Sequence, residues 1–170
     1  MAIRRIFSLT SLAIAAVAGF APLAHADHIF LEIPGIPGES VADKYPNWID
    51  VSSMGQEFSR RSCGGLTVSK RLDKSSPALA VSAVNGDVLA QATVAVVTGG
   101  ERPQETLRLV LSDVIVASTT IQSADPDKTV TEAVKLLPHS VSITYRPQDA
   151  KGGLGSPVTT VVTCNNNRPR

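Results

Sequence analysis

Histidine and cysteine are the side chains best suited to acid–base, nucleophilic or metal chemistry, and this chain has few of them. Beyond residue 26 the only histidines are His28 and His139, which stand far apart, next to no cysteine and in no H-x-x-x-H spacing. A zinc site needs three or four such ligands, so the sequence predicts no bound metal and no cofactor. A Ser-His-Asp cluster around His139 stays open as an alternative, because a triad is recognised by its geometry and not by its spacing in sequence.

Signatures of other enzyme classes are missing from the sequence. It contains no G-x-S-x-G elbow, no P-loop and no G-x-G-x-x-G. Glu32 with Glu39, or Asp113 with Glu132, could act as a pair of glycosidase carboxylates. Sugar sites usually have stacking aromatics, however, and only 4% of the residues are aromatic. Solvated strand faces explain these carboxylates better, and we expect the protein not to be an enzyme.

One stretch of the chain concentrates positive charge, at Arg60, Arg61, Lys70, Arg71 and Lys74. A nucleic-acid site would place stacking aromatics among these residues, and only Phe58 is near. We therefore expect no nucleic-acid binding. The stretch is interpreted as a solvated face, or as one that pairs with acidic residues of another subunit.

The first 26 residues have the three parts of a secretory signal peptide. Two arginines supply the positive charge, residues 6–20 are apolar and uncharged, and Ala24 and Ala26 are the small residues that a signal peptidase reads. We predict cleavage between Ala26 and Asp27, and a periplasmic or secreted protein without membrane attachment. An uncleaved N-terminal anchor is the alternative, although the apolar run is short for a bilayer span.

Cleavage there would leave 144 of the 170 residues, with 14 basic and 15 acidic side chains. This near-neutral charge gives no long-range attraction for nucleic acid or for an anionic membrane. We expect residues 27–164 to form one folded domain and residues 165–170 to form a disordered tail.

Cys63 and Cys164 are the two cysteines of the chain, and both lie in the part predicted to be exported. An oxidising compartment favours a disulfide between them. In the chain-entropy model a closed loop of about 100 residues contributes roughly 4–5 kcal/mol to stability. Two buried free thiols are the alternative.

Alternation of apolar and polar residues predicts roughly eight short strands with one inserted helix. At Ser112 and Asp113 the apolar phase slips by one residue, which predicts a β-bulge or a bend at a barrel corner. This pattern is typical of a mainly β, antiparallel barrel or sandwich. The predicted strands are 28–34, 48–51 and onward, 56–61, 66–72, 88–97, 107–116, 130–136, 141–145 and 158–164.

The helix is predicted from its end signals. Ser76 is a natural N-cap, because its hydroxyl can accept from an unpaired amide of the first turn. Pro77 suits the first helical position, where no amide bond is lost. Asn85 and Gly86 supply a left-handed stop.

Several segments together resemble the Hcp family, the haemolysin-coregulated proteins that form the inner tube of type VI secretion systems. Residues 38–40 (GES) followed by 48–51 (WIDV) resemble its opening, and residues 66–79 (LTVSKRLDKSSPAL) resemble the strand that leads into its single helix. Residues 114–118 (VIVAS) and 141–148 (VSITYRPQ) resemble its V-x-V-x-S and V-x-Y-x-P-Q segments. The four segments occur in the family's order.

The resemblance implies a β-barrel of two sheets with one short helix, which assembles as a hexameric ring. In the family such rings stack into a tube whose lumen carries effectors, and tube proteins load from the cytoplasm without a signal peptide. We therefore predict a non-enzymatic structural or interaction protein of Hcp type that is exported through its signal peptide. We expect it to form a homo-oligomeric ring that meets a protein partner or effector. The alternatives are a monomeric exported binding module and a small exported hydrolase using His139.

Overall fold

A computed structural model describes residues 27–60, 62–100, 102–123, 129–149 and 152–164 of the chain. The predicted signal peptide, with Ala24 and Ala26, and the predicted tail at 165–170 lie outside the described residues. Asp27, on the other side of the predicted cleavage point, is described and exposed.

Within the described residues the chain forms seven strands and one helix. In chain order they are β1 (His28–Glu32), β2 (Ile49–Ser59), β3 (Ser62–Arg71), α1 (Ser76–Asn85), β4 (Val88–Val97), β5 (Glu105–Gln122), β6 (Thr131–Tyr145) and β7 (Val158–Thr163). No helix in this part of the chain is both long enough and apolar enough to cross a bilayer.

All neighbouring strands are antiparallel and belong to one hydrogen-bonded sheet, in the order β3-β2-β1-β4-β5-β6-β7. The sheet closes on itself because β3 also pairs with β6. The prediction of a mainly β, antiparallel barrel with one short helix is thus confirmed. The resemblance implies two sheets. In the structure they form one continuous sheet, because β5 and β6 are long enough to belong to both.

Strand β6 changes its partner along its length. Its first half pairs with β3, from Arg71↔Thr131 to Leu66↔Leu136. Its second half pairs with β7, from Ser140↔Thr163 to Tyr145↔Val158. Along its other side β6 pairs with β5 throughout.

Two predicted pairs of short strands are each one long strand in the structure, so the expected count was too high. Predicted strand 56–61 is the second part of β2, and predicted strands 130–136 and 141–145 are both parts of β6. Pro138 lies between Leu136 and Ser140, where pairing passes from β3 to β7.

The predicted slip in β5 is present, but the bulge lies further along. Leu111 and Val114 are both buried while Asp113 between them is exposed and has a positive φ of 49°. The pairing of β5 with β4 and β6 keeps its register through this position. The register shift lies between Val116 and Ser118, so the slip at Asp113 is a local twist of the backbone and not an inserted residue.

Helix α1 ends as predicted and begins one residue earlier than predicted. Gly86 adopts the left-handed conformation with φ 70°, and its N–H donates to Ser82 O at 3.0 Å. The N-cap is Ser75, which makes no side-chain capping bond. The assignment of Ser76 as N-cap is therefore wrong: Ser76 is the first helical residue, and Pro77 stays within the first turn. The Ser76 hydroxyl bonds to Lys70 and Glu132 beneath the helix.

The apolar core fills the barrel interior and extends beneath α1. It includes Leu31, Ile49, Leu66, Leu79, Leu111 and Leu136, each of which is fully buried. From α1, Leu79 is fully buried in this cluster and Ala83, one turn later, packs against it partly buried, so α1 covers the barrel with a narrow apolar contact.

Candidate functional site

The most deeply buried charges lie where α1 meets the barrel. Lys70 on β3 and Glu132 on β6 are directly opposite in the register that closes the barrel. Facing residues of an antiparallel pair point to the same side, so both side chains enter the interior. The Lys70 Nζ lies 3.0 Å from Glu132 Oε2, and neither side chain is exposed to solvent.

Ser76 and Asp73 complete this buried network. Lys70 Nζ donates to Ser76 Oγ at 2.9 Å, and Ser76 Oγ donates to Glu132 Oε2 at 2.7 Å. Lys70 Nζ also donates to Asp73 Oδ1 at 2.7 Å. The first turn of the helix is thereby bonded to both strands that close the barrel.

The pKa of Asp73 reflects these bonds. Burial by itself would raise it, but hydrogen bonds from Lys70 and Ser75 and the charge of Lys70 lower the pKa of the carboxyl below its ordinary value. Asp73 therefore stays ionised and supplies a second negative charge beside Lys70. Ser76 is only 5% exposed, and its bonds to Lys70 and Glu132 hold the first turn of the helix against the barrel.

A disulfide joins Cys63 in β3 to Cys164, which directly follows β7, as the sequence predicts. The S–S distance is 1.96 Å and the two Cα atoms are 5.2 Å apart. Each cysteine is 1% exposed, so the bridge belongs to the core. Cys164 N also donates to His139 O at 2.7 Å, which ties the end of the strand to β6.

The β1–β2 connection folds into a compact loop that carries an aromatic cluster. Gly38 N donates to Asn47 O at 2.7 Å, and Ser40 N donates to Trp48 O at 2.9 Å. A Cβ at Gly38 would collide with the backbone of Trp48 and Ile49, which explains the glycine of the GES segment.

This aromatic cluster borders a pocket of about 720 Å³ at one end of the barrel. Tyr45 stacks on Phe30 with ring centroids 4.5 Å apart and meets the edge of Trp48 at 5.0 Å. Tyr45 Oη donates to Glu105 Oε2 at 2.9 Å, and Arg108 Nε donates to Glu105 Oε1 at 2.7 Å.

Each ionisable group of this cluster has a shifted pKa. Burial, together with the bond to Glu105, raises the pKa of Tyr45 to about 12. Burial would raise the pKa of Glu105, but bonds from Arg108 and Tyr45 lower it. The bond to Glu105 raises the pKa of Arg108. Arg108 thus neutralises the charge of Glu105, Tyr45 donates to the same carboxylate, and the arrangement fixes the β1–β2 loop against β5.

The structure does not assemble the hydrolase site that was left open. His139 lies on β6, and its Nδ1 is buried without a hydrogen-bond partner among the described residues. A triad needs that nitrogen bonded to a carboxylate. His28 lies at the start of β1 on the rim of the pocket, remote from Cys63 and Cys164 in the sheet. No group of three metal-ligating side chains occurs in the described part of the chain.

Asp113 and Glu132, one of the two candidate carboxylate pairs, lie far apart. Glu132 pairs with Ile121 on β5, while Asp113 lies eight residues earlier on that strand. A rise of about 3.3 Å per residue places them roughly 25 Å apart, too far for either glycosidase geometry. Glu39 accepts a hydrogen bond from the backbone N–H of Lys74 at 3.1 Å, so its role is to fix the approach to the helix.

The basic stretch is not one surface, which corrects its interpretation as a solvated face. Lys70 is fully buried, whereas Arg60 and Arg71 are exposed. Lys74 Nζ contacts Asn47 Oδ1 at 3.3 Å. Arg61 lies outside the described residues.

Sequence analysis missed the Lys70–Glu132 pair, although a signal for it exists. Lys70 continues the alternation of Leu66 and Val68, and Glu132 begins that of Val134 and Leu136. Opposite charges that both fall in the buried phase of a strand indicate a buried ion pair.

Exposed apolar side chains were not predicted either, because exposure depends on which faces the fold leaves uncovered. On α1 they are Val81 (57% exposed) and Val84 (86%). On β7 and beside it they are Val158, Val161 and Tyr145.

The sequence matches the family described as "Type VI secretion system effector, Hcp" over residues 30–147, from β1 to just past β6. The chain belongs to the Hcp family. This confirms the family resemblance.

Individual Hcp proteins show the extent of the likeness. The Hcp1 structure from Salmonella typhimurium superposes with a TM-score of 0.73 and 30% identity, covering 84% of this chain and 98% of that one. Hcp2 of the same species gives a TM-score of 0.67 and 26% identity. Protein hcp1 of Pseudomonas aeruginosa is 34% identical over 95 residues, which span 55% of this chain and 59% of that protein.

Proposed function

We propose that this Hcp-family chain is a non-enzymatic structural subunit that forms a closed homo-oligomeric ring, expected to be a hexamer. The observation that carries the proposal is the likeness over 98% of Salmonella Hcp1 at 30% identity. The chain retains nearly the whole fold of that protein, and its buried charges hold the helix in place. Both features support a structural role in contact between molecules.

The exposed apolar positions support a ring. Val81 and Val84 lie on the outer side of α1, whereas Val158 lies on β7 opposite the exposed Tyr145 of β6. These are different faces, and contact between unlike faces of successive copies is heterologous, so it generates a ring when the rotation closes. Apolar side chains of this size are stabilised when a partner removes them from water.

We further propose that the subunit is exported through its signal peptide and matures at Asp27. Strand β1 begins at His28, so removing residues 1–26 would leave every described strand intact. The buried Cys63–Cys164 bridge also favours an oxidising compartment, since cytosolic proteins rarely keep structural disulfides. A ring assembled there would meet its protein partner or effector outside the cytoplasm.

The native mass of the mature, oxidised protein tests the ring. We expect light scattering to give about six times the monomer mass. Val84→Asp should lower that mass, because a charge would enter the contact. Val41→Asp is the matched control, since Val41 is 95% exposed and lies in the β1–β2 loop, on neither α1 nor β7.

A monomeric mass at high concentration would contradict the ring and favour the alternative of a monomeric binding module. Export is tested by expressing the full chain and sequencing the N-terminus of the periplasmic product. A product beginning at Asp27 supports the proposal, and an intact cytosolic chain contradicts it.

A further inference from the structure

Strand β7 is held to the barrel differently from the other strands. Among the described residues its single partner is β6, through six residue pairs from Tyr145↔Val158 to Ser140↔Thr163. Of its side chains only Val162 is half-buried, and Val158 and Val161 are about two-thirds exposed at 66% and 65%. Burial of apolar surface therefore contributes little to keeping β7 in place.

The end of β7 is instead fixed covalently. Cys164 follows Thr163 directly and is bonded to Cys63, which belongs to β3. Both cysteines are buried, so the bridge anchors the strand to the core cluster. At the opposite end of β7 the hydroxyls of Thr144 and Thr159 form a solvent-exposed hydrogen bond of 3.0 Å, and Gly155 N donates to Pro147 O at 2.8 Å in the connection from β6.

The barrel closes without β7. Closure depends on the pairing of β3 with the first half of β6, from Leu66↔Leu136 to Arg71↔Thr131. Beneath β7 lies the second half of β6, which pairs with β5 on its other side. If β7 left, six residues of β6 would present an unpaired strand edge on an otherwise complete barrel, and such an edge accepts an extended strand.

We propose that the Cys63–Cys164 disulfide holds β7 on the barrel. Reducing the bridge releases β7, and the exposed edge of β6 then pairs with β7 of a second copy. A dithiol supplies two electrons and two protons and becomes a disulfide, while Cys63 and Cys164 become thiols. The second copy is the fitting partner because an identical strand reproduces all six backbone pairs in the same register. This inference needs neither closure of a ring nor export, but release of β7 would displace Val158, which the proposed ring contact uses.

Hydrogen exchange of the mature protein, oxidised and then reduced with dithiothreitol, tests the release of β7. We expect exchange in fragments that cover 140–145 and 158–163 to rise by about tenfold or more on reduction. Fragments from β1 and β4 should stay within about twofold. Unchanged exchange in β7, or an equal rise in every fragment, would overturn the proposal, because the release must be local.

Binding of a labelled peptide tests the partner. The probe copies residues 156–164 with Cys164→Ser, and its control carries Thr160→Pro in addition, because proline removes a ladder N–H. The probe should bind the reduced protein and the variant Cys63→Ser/Cys164→Ser, and bind the oxidised protein at least about tenfold more weakly. Equal binding to the oxidised and reduced proteins, equal binding of the proline control, or no binding to either reduced form would refute the proposed acceptor edge.

Discussion

Lys70 and Glu132 form an ion pair of 3.0 Å between side chains that have no solvent exposure, on the two strands whose pairing closes the barrel. The same pair is bonded to Ser76 in the first turn of α1. Closure of the sheet and placement of the helix therefore depend on one set of buried contacts.

Removing one member of this pair should be costly, because it leaves the other charge buried without its partner. We expect Glu132→Gln to lower the free energy of unfolding by about 3–5 kcal/mol. The double variant Lys70→Met/Glu132→Leu should cost less than the sum of Lys70→Met and Glu132→Leu, since neither charge remains. Urea unfolding of the four proteins measures this coupling.

The exposed carboxylate Glu57 on β2 provides a control for loss of charge alone. Glu57→Gln should stay within about 0.5 kcal/mol of the parent protein. Additive costs in the double variant would show that Lys70 and Glu132 are not energetically coupled.

Ser76→Ala should destabilise the protein through the buried network and not through a lost helix cap. The Ser76 hydroxyl bonds two charged groups, so its loss should cost about 1.5–3 kcal/mol in urea unfolding. Pro77→Ala in the same turn should cost less than about 1 kcal/mol, because Pro77 is exposed and acts mainly by restricting the unfolded chain. Equal effects of the two substitutions would argue against the network.

Cys164→Ser should lower the free energy of unfolding by about 2–5 kcal/mol under oxidising conditions, because the bridge restricts a long loop of the unfolded chain. The measurement is urea unfolding with and without dithiothreitol. With the reductant present, the parent protein and the variant should unfold at nearly the same urea concentration. Identical curves without the reductant would show that the bridge contributes nothing.

Tyr45 should make the fold sensitive to alkali. Its pKa is raised from 10.0 to about 12 in the folded protein, mainly by burial. The folded state therefore holds the proton more tightly than the unfolded state, so this contribution is complete below pH 10 and is lost as the pH rises towards 12.

Tyrosinate absorbance in the variant Tyr145→Phe measures this directly, because Tyr45 is then the only tyrosine of the two in the chain. The titration midpoint should lie near 12, and Tyr45→Phe should remove the corresponding loss of stability. A midpoint near 10 would mean that Tyr45 is not buried beside Glu105 in solution.

Most of the sheet follows from local pattern. The alternation at Leu66 and Val68 locates the later part of β3, which begins four residues earlier at Ser62, and the stop at Asn85 and Gly86 locates the end of α1. Side-chain direction and left-handed backbone are local properties. Strand continuity is not local. The neighbour of β6 changes from β3 to β7 between Leu136 and Ser140, and only the three-dimensional pairing shows that one strand runs through this point.

The same limit explains the error at Ser76. A serine before a proline at the start of a helix has the local signature of an N-cap. Its hydroxyl bonds Glu132, 56 residues further along the chain, and no short-range rule anticipates that contact. The disulfide was predictable because only two cysteines were available to pair.

The closing seam has a consequence for the order of events during folding. Arg71 pairs with Thr131, 60 residues later, and α1, β4 and β5 all lie between them. Chains dominated by such distant pairings fold slowly, over about milliseconds to seconds, because a large entropy loss precedes the stabilising contacts. The polypeptide must therefore remain open for an appreciable time before β3 and β6 pair and close the barrel.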